Sequence, residues 1–555
     1  MMTFNFKKYF DEVLFVPLGG TDEIGTNLYL YHYKGKWLIV DMGLGFAGDY
    51  FPGVEIIVPD ITFLQSIKKD IVGLVITHAH EDHIGAIQYL WPEVKVPIYA
   101  TKFSAAIIKT KLADVGIQND VTLKEVRANS KFEVGPFSLE YVSLTHSVPE
   151  MQGLIIRTEK GNVFHSGDWK FDHNPLIGAH SDLEKLKKLG DEGVLAMICD
   201  STNIFTEGRA GSEGDLKDSL RNLIATFKNE MVVITTFASN IARLYSLMEA
   251  AKSVKRKVVL SGTSLWRMYN AAVECGYLSD VDAPIHPKQS GKLKRSETLV
   301  IATGCQGERF ASIAKLARNE HPDIKLSRGD KVIFASKIIP GNDKKIFAMF
   351  NKFCKAGIDV LTEKDHFVHV SGHPCRDELE EMYKLVRPKY AIPMHGEPMH
   401  THEHCHFVKE KKLGLPIQIE NGSVTLITGE KTEVITKVVT GNMAIDGNFV
   451  LPSDSEILRL RRRMRDEGLA VVSVVYDKKG MVNGPEVLAP GVMDSSDDAE
   501  YFDQLKSELT QFLSTANFKT LKEVESKISG ITKRFFKREI GKEPKILVQL
   551  IKINS

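Results

Sequence analysis

Residues 71–86 constrain the fold and the chemistry of this chain more tightly than any other stretch. They begin with a short apolar run, which predicts a buried β-strand. The chain then places His78, His80, Asp82 and His83 within six residues, before the apolar spacing turns helical. A loop with four such side chains cannot bury them all in a dry core without leaving polar groups unpaired. Because zinc and similar divalent ions bind imidazole and carboxylate ligands, the loop predicts a metal site.

Several predicted strands, including the one before His78, end on an acidic or imidazole side chain. A single aspartate after a strand is more often a turn or helix-cap residue than a ligand, but a succession of them favours one shared site. Sheets of α/β folds present their functional groups at such strand ends. The residues concerned are Asp41, His78, His146, Asp168 and Asp200.

Length and composition predict a globular protein of several domains. The chain has 555 residues, of which 43% are hydrophobic and 26% charged. It has no apolar run of the about 20 residues that span a bilayer. Its N-terminal residues lack the layout of a signal peptide, so we expect a cytoplasmic protein. The six cysteines are scattered without a CxxC pair, which predicts reduced thiols rather than disulfides or a cysteine zinc site.

The net charge of +1 gives no overall preference for nucleic acid. Basic residues do cluster locally, and each cluster taken alone is most simply an exposed helix face. Several together would suit a polyanion if the fold brought them to one place. The clusters lie within residues 252–257, 288–295, 459–465 and 533–538.

The pattern of apolar and ligand-type residues changes twice along the chain. Between residues 206 and 365 short apolar runs alternate with helical spacing, which predicts βαβ units and a second, mostly parallel sheet. Ligand-type residues then return at His369, His373 and His395, which indicates that the second domain is inserted into the first. After about residue 440, a linker and a helix lead into a small α/β unit without histidine.

Specific motifs complete a resemblance that extends through essentially the whole chain. The sequence resembles the metallo-β-lactamase superfamily and, within its β-CASP nuclease group, the ribonuclease J family. The motifs that carry the resemblance are LGGTDEIGTN (18–27), Asp41 in IVDMG, His78-Ala-His80-Glu-Asp82-His83, SLTHSVPE with His146, HSGDWKFD with Asp168, DSTN (200–203), TTFASNIAR (235–243), SGH ending at His373, and HGE (395–397).

This resemblance implies an α/β fold: a metallo-β-lactamase αββα sandwich with an inserted α/β β-CASP domain and a small C-terminal α/β domain. We expect five segments with the following boundaries. They are the metallo-β-lactamase domain, first part (1–205), the inserted β-CASP domain (206–365), the metallo-β-lactamase domain, second part (366–445), a linker (446–465), and a C-terminal domain for assembly (466–555).

The resemblance also implies site roles. One metal ion would be held by His78, His80 and His146. The other would be held by Asp82, His83 and His395, with Asp168 bridging both. The catalytic group comprises Asp82, His373, Asp200 and Asp41. Asp41 would orient the metal-binding loop, and His373 would stabilise the phosphate or protonate the leaving oxygen. Asp200 would position a ring nitrogen of a nearby histidine, with His373 as the candidate. The residues expected to bind substrate are Ser239, Asn240, Ser336, His369, Ser371, Gly372 and His373.

The function that follows is a metal-dependent RNA hydrolase in RNA maturation and decay, with hydroxide attack on the phosphodiester at a two-metal centre. We expect a 5′→3′ exonuclease that favours 5′-monophosphate ends and also cuts internally. Its cofactors would be two divalent ions per chain, zinc first and manganese or magnesium as alternatives. Its partners would be single-stranded RNA, further copies in a homodimer or homotetramer, and an RNA-processing complex, with no membrane. The alternatives are a related hydrolase of DNA or a small ester, and a catalytically silent RNA-binding scaffold.

Overall fold

The computed structural model describes residues 4–48, 50–478, 480–516 and 520–553. The chain divides into two compact units. The first comprises Met1–Gly45 and Val58–Gly441, and the second comprises Phe46–Ile57 and Asn442–Ser555.

Two large sheets form the centre of the first unit. Their apolar side chains meet in one core, to which Phe15 and Tyr31 contribute from one sheet and Leu139 and Ile198 from the other. In spatial order, the eight strands of the first sheet are Thr432–Lys437, Ser423–Ile427, Val13–Gly19, Leu28–Tyr33, Lys36–Val40, Ile71–Val75, Ile98–Ala100 and Leu123–Glu125. The seven strands of the second are Leu415–Pro416, Pro388–Met394, Val194–Asp200, Gly161–His165, Gln152–Thr158, Phe137–Ser143 and Lys131–Val134.

Helices cover the outer faces of these sheets. Those that pack on the seven-stranded sheet bury a second core, which includes Leu186, Leu379 and Phe407. The helices of this sandwich are Thr62–Ile67, Glu81–Ile84, Ile87–Val94, Lys102–Asp114, Leu183–Glu192, Arg376–Val386 and Pro398–Lys411. The fold is the predicted metallo-β-lactamase αββα sandwich, in which a helix layer must cover the apolar outer face of each sheet.

A parallel sheet with surrounding helices is inserted between Asp200 and Arg376, as the alternation of apolar runs predicts. Its strands in spatial order are Lys257–Ser261, Thr298–Ala302, Val232–Thr235, Lys331–Phe334 and Asp359–Leu361. Its α-helices are Glu213–Thr226, Ile241–Ser253, Thr263–Cys275, Ser312–Ala317 and Asp343–Lys355.

A buried arginine joins the two linkers between the sandwich and the inserted sheet, an outgoing linker (201–212) and a returning linker (362–375). The side chain of Arg243 is fully buried and pairs with Glu213, just after the outgoing linker, at 2.9 Å. It also donates to the carbonyls of Ala335, Val368 and Val370, and the last two lie on the returning linker. Because a buried charge is stable only when it is paired and hydrogen-bonded, this network fixes the position of both linkers.

The second unit contains two small sheets and three helices within its described residues. The three-stranded sheet (Met481–Leu488, Leu469–Tyr476 and Lys545–Lys552) is covered on one face by helices Ala499–Leu513 and Leu521–Ile540. The strands Phe449–Pro452, Asn442–Asp446, Ile56–Pro59 and Gly45–Phe46 form a four-stranded sheet, and helix Glu456–Glu467 follows in the chain. The sequence did not predict that residues 46–57 would join this unit.

Four short 3₁₀ segments complete the secondary structure of the described residues: Phe6–Tyr9, Lys68–Asp70, Pro287–Lys292 and Arg295–Glu297. Among the helices in the described ranges, none is both long and apolar enough to cross a bilayer.

Candidate active site

The histidine-rich loop follows the buried strand Ile71–Val75 and is fixed by backbone hydrogen bonds from glycine-rich loops. The N–H groups of Asn27 and Met42 donate to the carbonyls of Asp82 and His83, at 3.0 and 2.7 Å. A Cβ atom at Gly43 would lie 1.6 Å from the carbonyl oxygen of Asp82, so no other residue fits there. The close approach of these loops therefore sets the position of the ligand-type side chains.

Three imidazoles converge on one side of the site. The Nδ1 atom of His80 lies 3.1 Å from Nε2 of His78 and 3.1 Å from Nε2 of His146. All three rings are shielded, since His78 and His146 are buried and His80 is half-buried. Two nitrogens bound to one tetrahedral zinc ion at about 2.05 Å would be separated by about 3.3 Å. The spacing of the three nitrogens thus suits a shared cation.

Asp168 lies between these imidazoles and a second group. Its Oδ2 atom is 3.1 Å from Nε2 of His83, 3.3 Å from Nε2 of His395 and 3.9 Å from Nε2 of His78. Asp82 completes the second group, with Oδ2 3.6 Å from both His83 and His395. The ligand atoms within each group lie within 4.8 Å of one another, and Asp168 belongs to both groups.

A hydrogen bond at the ring nitrogen that faces away from the cluster orients each of the five histidines; for His80 this nitrogen is Nε2, which contacts the Ser147 hydroxyl at 3.0 Å. Nδ1 of His83 contacts Oδ2 of Asp41 at 2.7 Å, and Nδ1 of His146 contacts the carbonyl of Gly372 at 2.6 Å. Nδ1 of His395 contacts Oδ1 of Asn27 at 2.9 Å, and Nδ1 of His78 contacts the Thr77 hydroxyl at 3.0 Å. An acceptor at Nδ1 holds the proton there and leaves Nε2 free to bind a metal, the arrangement usual around metal-binding histidines.

Two residues of the site have strained backbones. Asp41 has φ 61° and His395 has φ 51°, in the left-handed region that non-glycine residues rarely adopt. Asp41 is fully buried and also accepts from the backbone N–H and the hydroxyl of Thr77, both at 2.8 Å. Such strain persists where surrounding contacts fix the conformation, and it is concentrated at functional sites.

The site fits a divalent cation on grounds other than its sequence motif. Oδ1 of Asp168 is buried without a hydrogen-bond partner among the described residues. Burial lowers the pKa of His80 to about 4 and holds the pKa of His78 and His146 well below the usual value, so these rings are neutral at physiological pH. Neutral imidazoles and an ionised carboxylate are the donor set that zinc binds.

A separate pair lies beside these groups. Oδ2 of Asp200, which is fully buried, is 2.8 Å from Nδ1 of His373. The ring of His373 is 5.2 Å from that of His146 and 5.5 Å from that of His395. Burial opposes the charged form of His373, but the Asp200 carboxylate outweighs it and raises the pKa of His373 to about 9. The structure thus places a protonated imidazole at the edge of the cluster.

The residues expected to bind substrate differ in how far their polar atoms are exposed or already hydrogen-bonded. Ser371 already accepts from the side chain of Asn203 at 2.7 Å, and the carbonyl of Gly372 holds His146. Asn240 caps helix Ile241–Ser253 through its side-chain oxygen. Ser336 is buried, whereas Ser239 and His369 are half-buried, and Nδ1 of His369 has no partner among the described residues.

The buried carboxylate of Glu378, which the sequence did not predict as part of the site, fixes two segments that carry site residues. Glu378 accepts from the backbone N–H groups of Phe171, Ala210 and Cys375, at 3.0, 2.8 and 3.0 Å. Phe171 follows Asp168 by three residues and Cys375 follows His373 by two, so both segments are held by Glu378. Asn27 was also missed as a site residue, although it ends the LGGTDEIGTN motif.

Comparisons with known protein families agree with this arrangement. Residues 21–226 match the family described as "Metallo-beta-lactamase superfamily", and residues 229–353 match "Ribonuclease J, beta-CASP domain". Residues 357–419 match "Zn-dependent metallo-hydrolase RNA specificity domain", and residues 456–553 match "Ribonuclease J C-terminal domain".

Individual proteins are similar over most of this chain. Ribonuclease J of Sinorhizobium meliloti is 38% identical over 495 residues, which cover 88% of each chain. Ribonuclease J of Thermus thermophilus is 32% identical over 553 residues, 98% of this chain and 95% of that protein. A crystal structure from Enterococcus faecalis V583, of a protein of unknown function, matches 75% of this chain and 100% of its own with a TM-score of 0.53 and 18% identity. At that identity the match shows the fold alone.

Replacing Asp168 with Asn tests the metal site. The change keeps the size of the side chain but removes its charge, so we expect metal affinity to fall by at least about 100-fold. Elemental analysis after dialysis against buffered zinc would measure the metal affinity, and circular dichroism would verify the fold of the variant. Asp114→Asn, at an exposed carboxylate paired with Arg267, is the control and should retain its metal. Full metal content in the Asp168 variant would contradict the assignment.

Proposed function

The chain belongs to the ribonuclease J family, and from this premise we propose the reaction that its site performs. It is a metal-dependent ribonuclease. We propose that it degrades RNA from the 5′ end, favours 5′-monophosphate ends, and also cuts internally at the same site. The observation that carries the proposal is the convergence of two groups of ligand-type side chains on Asp168.

We propose two divalent ions per chain, with zinc as the first candidate because the donors are mostly imidazoles. Manganese and magnesium are the alternatives. His78, His80 and His146 would hold one ion and Asp82, His83 and His395 the other, with Asp168 shared between them. When bound, divalent ions at such sites supply a nucleophilic water of lowered pKa and neutralise charge that develops on a phosphodiester.

The protein's own groups would complete the reaction. His373, held by Asp200, would donate its proton to the oxygen that leaves the phosphorus atom, since a positioned acid speeds such a step. Asp41 would keep His83 oriented through its 2.7 Å contact with Nδ1. The carbonyl of Gly372 would do the same for His146, which ties the His373 segment to the metal-binding group.

A binding pocket for the 5′-phosphate would explain a preference for monophosphate ends. We propose that it involves the loops at the carboxyl end of the inserted parallel sheet, which carry Ser239, Asn240 and Ser336. The loop after strand Val232–Thr235 leads to Ala242, whose N–H donates to the carbonyl of Ser147, beside His146. This contact supports the proposal because it brings the loop next to the metal-binding group. His369, whose Nδ1 has no hydrogen-bond partner within the described ranges, would contribute from the returning linker.

We propose that the C-terminal unit assembles the chain into a homodimer or homotetramer, which an RNA-processing complex could then recruit. The open face of its three-stranded sheet carries Leu488 and Leu547, which are 64% and 46% exposed and both stand opposite Val471. Ile551, 40% exposed, lies further along the same strand.

Leu547→Lys should therefore lower the mass of the particle measured by light scattering, because a charge in an apolar interface opposes association. Leu521→Lys, at an exposed leucine at the start of a helix, should leave the mass unchanged. A wild-type chain that sediments as a monomer would contradict the proposed assembly.

Digestion of one RNA prepared with 5′-monophosphate, 5′-triphosphate and 5′-hydroxyl ends tests the proposed reaction. We expect mononucleotides to be released first from the monophosphate form, because only that end fits a phosphate pocket at a fixed distance from the cut bond. Release should stop when a chelator removes the metal. Equal rates for all three ends, with internal products only, would contradict the pocket, and cleavage in excess chelator would contradict the metal-dependent reaction.

Replacing Asp200 with Asn tests the role of His373. A proton donor with a raised pKa is active below that pKa, so activity should fall as pH rises through about 9. Removal of the Asp200 carboxylate lowers the pKa of His373 and should move the alkaline limb of kcat/KM to lower pH by at least about one unit. Asp114→Asn should leave the profile unchanged, and an unmoved limb in Asp200→Asn would remove His373 from this role.

A further inference from the structure

Two of the four basic clusters in the sequence meet at the amino end of the inserted parallel sheet. Residues 252–257 lead into strand Lys257–Ser261, and residues 288–295 lead into its neighbour Thr298–Ala302. This edge is opposite the carboxyl end, where the loops with Ser239 and Ser336 begin.

Arg256 holds the loops at this edge together. Its side chain is buried and donates to the carbonyls of Phe227, Glu230 and Thr298, at 2.6, 2.9 and 2.9 Å. It forms no salt bridge with a carboxylate in the described part of the chain. The guanidinium group of Arg256 thus holds together the loops before three neighbouring strands. Its charge adds to the positive charge of the edge.

Asp330 attaches the fourth loop to the same group. It is buried, pairs with Arg295 from the second basic cluster, and accepts from the N–H groups of Met231 and Ser327, at 3.0 and 2.7 Å. The loops before strands Val232–Thr235 and Lys331–Phe334 are therefore held together as well.

The exposed side chains of these loops are mostly cations. We define the distal basic edge as Lys228, Lys255, Lys257, Lys294 and Arg328, all of them exposed. Among the described residues, Lys294 pairs with Glu297 at 3.4 Å and the other four have no salt-bridge partner.

The carboxylates nearby do not neutralise the edge. Asp330 is engaged by Arg295, and Asp359 by Lys331. Glu230 is half-buried, and the N–H of Asn229, 2.9 Å away, lowers the pKa of that carboxyl and keeps it ionised, so it offsets one of the cations. A chain of net charge +1 therefore concentrates unpaired positive charge on one rigid edge.

We propose that the distal basic edge is a second RNA-binding site, which holds the phosphate backbone of substrate outside the catalytic cleft. The four strands behind it span about 14 Å at the usual spacing of about 4.8 Å, enough for a few successive phosphates. Exposed lysines and arginines attract such a chain by counterion release, without reading its sequence. The site deepens the proposed function and rests on it, since its ligand is the RNA being degraded.

The position of the edge determines which part of the RNA it contacts. Strands of four or five residues, at about 3.3 Å each, separate it by about 15 Å from the loops at the carboxyl end. A fragment of a few nucleotides whose whole length is bound in the cleft has no chain left to cross that distance. The edge therefore strengthens binding of long RNA alone.

A variant with Lys228→Gln, Lys255→Gln, Lys257→Gln and Arg328→Gln tests the proposal. The holoenzyme would be assayed with 5′-monophosphate homopolymer RNA of about 30 and about five nucleotides. We expect KM for the long RNA to rise at least about fivefold, kcat/KM for the short RNA to stay within about twofold, and the salt slope of binding to fall by about 2 to 3.

The matched control carries Lys187→Gln, Lys188→Gln, Lys409→Gln and Lys412→Gln. These lysines are exposed and have no salt-bridge partner among the described residues, and Lys412 shares the left-handed backbone of Lys255. The control should behave as wild type. If the fourfold variant fails to fold, the pair Lys228→Gln and Lys257→Gln should show a smaller change of the same sign.

An equal effect on long and short RNA, or an equal effect of the control, would overturn the second site. A wild-type enzyme that cleaves neither RNA would instead contradict the proposed function. In that case, binding of a cleavage-resistant phosphorothioate 30-mer would still test the edge, and equal affinity of the variant and wild type would overturn it.

Discussion

The active site depends on the placement of one buried carboxylate among five imidazoles. Asp168 is 1% exposed, and its Oδ2 lies within 3.9 Å of nitrogens from His78, His83 and His395. Without a cation, so many buried polar atoms would be costly, and Oδ1 of Asp168 has no hydrogen-bond partner in the described part of the chain. The rest of the site serves this cluster, because hydrogen bonds at one ring nitrogen of each histidine orient the other nitrogen toward it.

The inserted sheet and the sandwich are joined by contacts that also hold residues of the site. Arg243 fixes both linkers, and Glu378 binds the segments that follow Asp168 and His373. The His373 segment in turn holds His146 through the carbonyl of Gly372. The geometry of the site is therefore coupled to the packing of the inserted domain.

The sequence predicted what depends on local order along the chain. Residue type and spacing predicted three features: the strand-to-helix loop from His78 to His83, the acidic and imidazole residues at strand ends, and the inserted βαβ units. The pairing of Asp200 with His373 was expected from the family resemblance, because 173 residues separate the two in sequence. Contacts between residues so far apart in the sequence can be identified only once the fold is known. For this reason the sequence predicted neither the role of Glu378 nor the orienting role of Asn27. Two further features also depend on the fold and could not be predicted: two basic clusters converge at one edge, and residues 46–57 associate with the second unit.

Anomalous diffraction from crystals of the active enzyme, at the absorption edge of the metal found by elemental analysis, tests the account most directly. The account predicts two peaks: one among His78, His80 and His146, and one among Asp82, His83 and His395, each within bonding distance of Asp168. Active crystals whose only metal lies away from Asp168 would contradict it.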